Sequence, residues 1–263
     1  MENGKVVLIT GASSGIGYEL SRVFAGNNYN LILVSRNISK LMDISDDLIK
    51  EYGCSIITIQ KDLAAENSAV EVYQEVINRG INVNVLVNNA GIGSCGLFHE
   101  ISYDKDIEMI SLNIRSLTIL TKLFAKRMVE LGNGKILNVA STGAYQPGPY
   151  IAAYYATKAY VLSFSEAIAN ELKSFGVMVS TLCPGATKTN FSRIAGKSDV
   201  KGGMSPKTVA EIAYRDLMKN KRIIVPGFFN KAAVLMTKLL PRKISAYIVG
   251  RYQFNLFKNF KNN

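Results

Sequence analysis

The stretch Lys5-Val-Val-Leu-Ile-Thr10-Gly11-Ala-Ser-Ser-Gly15-Ile-Gly17 decides the architecture. It opens as a short apolar run that stops at a glycine, which suits a strand buried on both faces of a parallel sheet. From Tyr18 to Asn28 the apolar residues recur at helical spacing. Strand, glycine turn and helix thus follow one another directly. Glycine lets the backbone turn sharply and approach a ligand, and a helix N-terminus offers unpaired N–H groups to a pyrophosphate. Gly11, Ser13, Ser14, Gly15, Ile16 and Gly17 are expected to cradle a dinucleotide.

The same alternation repeats outward from this turn. Strands are expected over Asn30 to Ser35, Ser55 to Gln60, Val83 to Asn88, Lys135 to Ala140, Val177 to Cys183 and Arg222 to Pro226. Helices are expected near Ser39 to Glu51, Glu66 to Arg79, Tyr103 to Leu131 and Ile151 to Ser174, and from the Ser205-Pro206 cap onward. This pattern implies an α/β fold: a doubly wound parallel sheet of about seven strands with helices on both faces. The expected division is one domain over residues 1–227 and a basic helical extension over residues 228–263.

In such a sheet ligands bind beyond the carboxyl ends of the strands. An acidic residue after the second strand would accept hydrogen bonds from the ribose 2′-hydroxyl of NAD, but this chain has Ser35-Arg36. A hydroxyl beside a guanidinium suits a 2′-phosphate instead, so NADP(H) is expected in preference to NAD(H). Asp62 and Leu63, past the third strand, would meet the adenine, and Asn89, Ala90 and Gly91, past the fourth, would line the same crevice. A literal glycine fingerprint, Gly91-Ile-Gly93-Ser-Cys-Gly96, leads into Leu97-Phe-His-Glu100 rather than a helix, and is read as a loop.

Ser141-Thr-Gly-Ala-Tyr-Gln-Pro-Gly-Pro-Tyr-Ile-Ala-Ala-Tyr154-Tyr-Ala-Thr-Lys158 carries the candidate chemistry. Tyr154 and Lys158 are four residues apart and share one helix face. An ammonium there would lower the phenol's pKa toward the range where tyrosine exchanges protons at neutral pH. Tyr155 is turned away and has Ala159 at the corresponding position, and Tyr160 has Phe164, so neither is the expected proton donor.

The net charge is +11. From Arg215 onward eleven Lys/Arg oppose the single acid Asp216, leaving +1 for residues 1–214. Apolar residues interleave with those cations, which a nucleic-acid-binding arm would not need. Cys54, Cys95 and Cys183 are too few and too far apart for a disulfide framework or a zinc site, and no metal is expected. No long uncharged apolar run or secretory leader is visible, so the expected location is the cytoplasm. His99 stands alone, which leaves little for a Ser-His-Asp hydrolase.

Thr10-Gly11-x-x-x-Gly15-x-Gly17, Asp62, Asn88-Asn89-Ala90-Gly91, Asn113, Ser141, Tyr154-x-x-x-Lys158 and Pro184-Gly185 stand in the order of the short-chain dehydrogenase/reductase family, which the chain resembles over about residues 4 to 227. The resemblance implies that Tyr154 gives a proton to a substrate carbonyl while the nicotinamide delivers hydride, or the reverse. It implies that Lys158 holds the nicotinamide ribose, that Ser141 orients the carbonyl oxygen, and that Asn113 holds a water linking Lys158 to solvent. Pro184 and Gly185 would belong to the cofactor site, and Thr187 and Thr189 after them would contact the nicotinamide amide and diphosphate. It further implies a homo-oligomer, dimer or tetramer, formed through the helices at Asn113–Leu131 and Ile151–Ser174, and a small carbonyl or alcohol substrate. The competing readings are an NADP-dependent alcohol dehydrogenase working oxidatively, which the same residues permit, and a non-catalytic NADP(H) sensor, against which the intact Ser-Tyr-Lys set argues.

Phe191 to Gly203 lacks a clear period and reads as a mobile lid over the substrate. Beyond Gly227, Lys231 to Leu240 and Ile244 to Phe260 are divided by Pro241 and mix apolar residues with cations. One reading is a pair of amphipathic helices on an anionic membrane. The preferred one is a tail packed on its own or a partner subunit; an acidic partner such as an acyl carrier protein stays open.

Overall fold

The structure, a computed structural model, describes residues 4–200 and 202–261. The expectations touching residues 1–3, Lys201 in the lid and residues 262–263 of the tail lie outside them. β1 (Val6–Thr10) is wholly buried and lies between two parallel neighbours, β2 (Asn30–Ser35) and β4 (Val85–Asn88). With β3 (Ile56–Gln60), β5 (Gly134–Val139), β6 (Val177–Leu182) and β7 (Ile223–Ile224) they form a seven-stranded sheet in the order β3-β2-β1-β4-β5-β6-β7, parallel throughout.

Side chains alternate across the pleat, so β1 serves two cores at once. Val7 and Ile9 face one layer, with Leu20 and Phe24 of α1 (Gly15–Ala25), Leu41 and Leu48 of α2 (Ile38–Tyr52), and Leu217 of α8 (Pro206–Met218). Val6 and Leu8 face the other, with Val72 and Val76 of α3 (Ser68–Asn78) and Leu120 and Phe124 of α5 (Leu117–Glu130). Local signals set several boundaries. Asn37 accepts from the Lys40 N–H and starts α2, and Ser205 caps α8 by accepting from the Thr208 N–H, with Pro206 in the first turn.

Four expectations need adjusting. The helix after the glycine turn begins at Gly15 rather than Tyr18, so the turn is itself the helix start. The long helix at Tyr103–Leu131 is α4 (Tyr103–Ile110), then a π-helical segment at Ser111–Ser116, then α5; the widened turn holds Asn113. The last strand shrinks to Ile223–Ile224 at the sheet edge. The lid contains a short helix, α7 (Phe191–Ile194), and is tied by backbone hydrogen bonds from Cys95 N–H to Ala195 O (2.7 Å) and Ser198 N–H to Leu256 O (3.2 Å). After α6 (Ala152–Leu172) and α8, the tail folds into α9 (Phe228–Leu239) and α10 (Arg242–Lys261).

Candidate active site and nucleotide cleft

A cleft of about 930 Å³ runs along the carboxyl ends of β1 to β6. Its walls include Gly11, Ser13, Ser14, Gly15 and Ile16 after β1, Ser35 and Arg36 after β2, Asp62 and Leu63 after β3, Asn89, Ala90 and Gly91 after β4, Ser141 after β5, and Pro184, Gly185, Thr187 and Thr189 after β6. Tyr154 and Lys158 of α6 line it as well. The expected nucleotide residues are thus gathered into one cavity, with one exception.

Gly17 is not on the cleft wall. A Cβ there would run into the Gly11 carbonyl oxygen and the Asn89 amide nitrogen, so this glycine lets α1 pack tightly against the turn. Gly17→Ala is expected to overpack the junction, costing about 1–3 kcal/mol. A melting temperature several degrees lower would show it; an unchanged one would contradict the packing role.

Asn89 is spent largely on structure. Its Nδ2 donates to the carbonyls of Thr10 (3.0 Å) and Gly11 (3.2 Å), and the Thr10 hydroxyl accepts from the N–H groups of Asn89 and Ala90. These bonds lock the end of β4 to the glycine turn. The turn suits a dinucleotide. Gly11 has φ +66° and a Cβ on it would lie 2.9 Å from Ala90 Cα, so a side chain would fill the cradle. Ser14, the N-cap of α1, makes no side-chain cap and the first turn carries no acid, which leaves its N–H groups for an anion.

At the end of the cleft beyond β2 and β3, where the sequence places an adenosine, Ser35 Oγ donates to Ser13 Oγ (2.9 Å) and Arg36 makes an exposed pair with Glu108 at 3.4 Å. Asp62 accepts from the Ala64 N–H, which fixes its carboxylate at the rim. Lys61 also lines this end and was not singled out from sequence, because a lysine after a strand carries no motif.

At the other end of the cleft, beside Tyr154, Lys158 is 4% exposed, donates to Val139 O at 2.8 Å, and has Nζ 5.7 Å from the Tyr154 ring centroid. Burial pulls the Lys158 ammonium down to about 8. Burial also pushes the Tyr154 phenol above its ordinary value, and the neighbouring Ser141 hydroxyl pulls it part of the way back. The expected depression by Lys158 is therefore not what this geometry gives: the ammonium is aimed at a backbone carbonyl and desolvation dominates. Ser141 Oγ accepts from the Gly143 N–H at 3.0 Å, which holds it at the cleft wall.

Asn113 is fully buried in the π-helical turn. Its Nδ2 donates to Ile92 O and Thr157 Oγ1, and its Oδ1 accepts from the Ile92 N–H. Oδ1 and Lys158 Nζ converge on Gly91, where a Cβ would sit 3.2 and 3.3 Å from them. The loop Gly91–Gly96 does not open a helix as a phosphate-binding fingerprint would. Gly93 instead makes room for Phe191, whose ring lies 5.1 Å from that of Tyr154.

The tail supplies a wall that sequence reasoning missed. Phe228, Phe229, Ile248, Tyr252 and Gln253 line the cleft, and Gln253 Nε2 donates to Tyr155 Oη at 3.1 Å. Tyr155, which lines the same cleft as Tyr154, is held by this hydrogen bond and by packing over Gly143 and Gly148. Nothing in the local sequence signals this contact, which joins residues ninety-eight positions apart.

A doubly wound sheet with a glycine cradle at its centre and a cleft along its strand ends defines a dinucleotide-type α/β protein. The chain belongs to the short chain dehydrogenase family, whose family model matches residues 5–199. It is 35% identical over 195 residues to a very-long-chain 3-oxoacyl-CoA reductase of Pyrenophora tritici-repentis, a match covering 73% of this chain and 57% of that protein, little more than half its length. It is 30% identical to the ketoacyl reductase HetN of Nostoc sp., covering 90% of this chain and 83% of that one. Among solved structures, a short-chain dehydrogenase from Sphingobium yanoikuyae in complex with NADPH superposes with a TM-score of 0.82 at 28% identity, covering 90% of this chain and 97% of the other.

Proposed function

We propose that this chain is an NADPH-dependent reductase of a ketone or aldehyde carbonyl on an apolar or acyl-linked molecule. The observation that carries the reading is the placing of Ser141, Tyr154 and buried Lys158 on one cleft with the glycine cradle. The relatives named as ketoacyl and 3-oxoacyl-CoA reductases support the reaction class, and the apolar residues Phe191, Ile194, Phe228 and Ile248 on the cleft support an apolar substrate.

The nicotinamide would supply hydride to the carbonyl carbon, held by the cradle from Gly11 to Ile16 and by Lys158 at its ribose. Ser141 would hold the carbonyl oxygen, and Tyr154 would hydrogen-bond it and pass it a proton. Burial keeps the Tyr154 phenol protonated near neutral pH, which suits an acid for reduction better than a base for oxidation. Asn113 would position a water that returns the proton toward Lys158. Phosphate preference rests on Ser35, Arg36 and Lys61 at the adenosine end. The domain boundary after residue 227, a homo-oligomer through α5 and α6 and a cytoplasmic site of action complete the proposal.

NADPH oxidation across a panel of carbonyl compounds, with NADH as control, tests it. Turnover with NADPH on acyl or other apolar ketones is expected; none on any compound would favour a nucleotide sensor. Arg36→Ala is expected to raise the KM for NADPH roughly tenfold or more with little change for NADH, as the loss of a charge-assisted phosphate contact implies. Equal changes for both would remove the assignment.

A further inference from the structure

Both tail helices turn much of their apolar surface outward. α9 packs through Asn230, Val234 and Thr237, while Phe228 (79% exposed), Phe229 (86%), Leu235 (59%) and Leu239 (71%) face outward. α10 buries Ser245 and Gln253, which bond to Gln146 and Tyr155, and leaves Ile244, Tyr247 and Ile248 exposed. An ordinary surface helix does the opposite. The sequence expectation that the tail packs on its own subunit thus describes one side of these helices, and among the described residues the more apolar side stays exposed. A patch of this kind on a folded protein marks an interaction surface.

Its charge says what covers it. Residues 228–263 hold seven Lys/Arg and no Asp or Glu. Among the described residues only Lys261 of these meets a carboxylate, Glu100 at 4.0 Å. A two-fold contact with a second copy would set this cationic face against itself. An anionic lipid surface complements it, with apolar side chains entering the acyl boundary and Lys and Arg reaching the headgroups. No described helix is long and apolar enough to cross a membrane, so the contact would lie in the interface plane.

We propose that α9 and α10 dock this protein on an anionic phospholipid bilayer, with the mouth of the cleft facing the lipid. The second part follows from Phe228, Phe229 and Ile248, which belong both to the exposed patch and to the cleft wall. An apolar substrate could then pass from the bilayer to Tyr154 without crossing water. This delivery route rests on the reductase reading; the docking does not.

Sedimentation with phosphatidylcholine vesicles, with and without phosphatidylglycerol, tests the docking without any turnover. The full chain is expected to pellet with the anionic vesicles alone and to be released as salt is raised. Lys231→Gln, Arg242→Gln and Lys243→Gln together should weaken partition roughly fivefold per cation, on the order of a hundredfold in all. Leu235→Ser, Leu239→Ser and Tyr247→Ser together should also abolish pelleting, leaving turnover of a water-soluble carbonyl unchanged, because none of the three lines the cleft. Recovery of the protein in the supernatant with both vesicle types would overturn the proposal. So would a serine variant that pellets normally but has a lower oligomeric mass by light scattering, which would assign the face to a second copy.

Discussion

Tyr154→Phe is expected to lower kcat for carbonyl reduction by about 10²–10⁴-fold, the span that positioned acid catalysis supplies, with NADPH binding nearly unchanged. The substitution removes one oxygen and keeps the ring, which packs 5.1 Å from Phe191 and forms part of the cleft wall. The cradle around Gly11 and Gly15 is built from other segments and does not depend on the phenol. Loss of turnover with intact nucleotide binding, read by fluorescence titration of NADPH, would separate chemistry from binding. Because burial raises the Tyr154 phenol, the wild-type acid is in its proton-bearing form at neutral pH, and the loss should be as large at pH 6 as at pH 7. If the variant kept its rate, the proton would have to come from elsewhere, and Tyr155 offers a neighbouring phenol on the cleft, its ring centroid 6.2 Å from that of Tyr154. Tyr155→Phe in the same assay is the control and is expected to retain turnover.

The parts of the fold that were legible are those in which local pattern and tertiary burial agree. β2 was readable from Asn30 to Ser35 because its apolar run ends sharply at Ser35-Arg36, and in the structure it is buried between two parallel neighbours. That the candidate residues at strand ends would share one cleft was legible because the topology of a parallel sheet puts every strand's carboxyl end on one edge. Gly17 was legible as a conformational signal but not as to its purpose: the same letter serves contact with a ligand and contact between a helix and a turn. The π-helical turn at Asn113 left no trace, since widening one turn changes no residue's helical preference. The tail was legible as two basic helices, yet their facing was not. Periodicity assumes that apolar residues point inward, and here Asn230, Thr237, Ser245 and Gln253 take the inner positions through specific hydrogen bonds and side-chain packing.

Lys158→Met should give an enzyme that has lost most of its turnover and gained resistance to unfolding. The wild-type ammonium is buried and its single backbone partner, Val139 O at 2.8 Å, compensates only part of its lost hydration, so its folded pKa lies at about 8 against 10.5 in the unfolded chain. Between these values the unfolded state binds more protons than the folded one, and stability rises with pH. Below about 8 the full penalty is present, an upper bound of roughly 3 kcal/mol. Methionine fills a similar volume without the charge and removes both the penalty and the slope, at the cost of one hydrogen bond to Val139 O. At pH 7 the variant should melt no lower than the wild type, and the wild type should gain on it as pH is raised from 8 toward 10. Parallel melting curves across that range would show that the ammonium is not buried at a cost. The same titration predicts a kinetic limb: on the proposed mechanism, in which Lys158 holds the nicotinamide ribose and stabilises the Tyr154 phenolate formed by proton transfer, wild-type kcat/KM for reduction should fall as pH rises through about 8, where the free enzyme loses that cation. On that mechanism the destabilising charge and the catalytic charge are one group, which would explain a lysine at a position where an apolar residue would fold better.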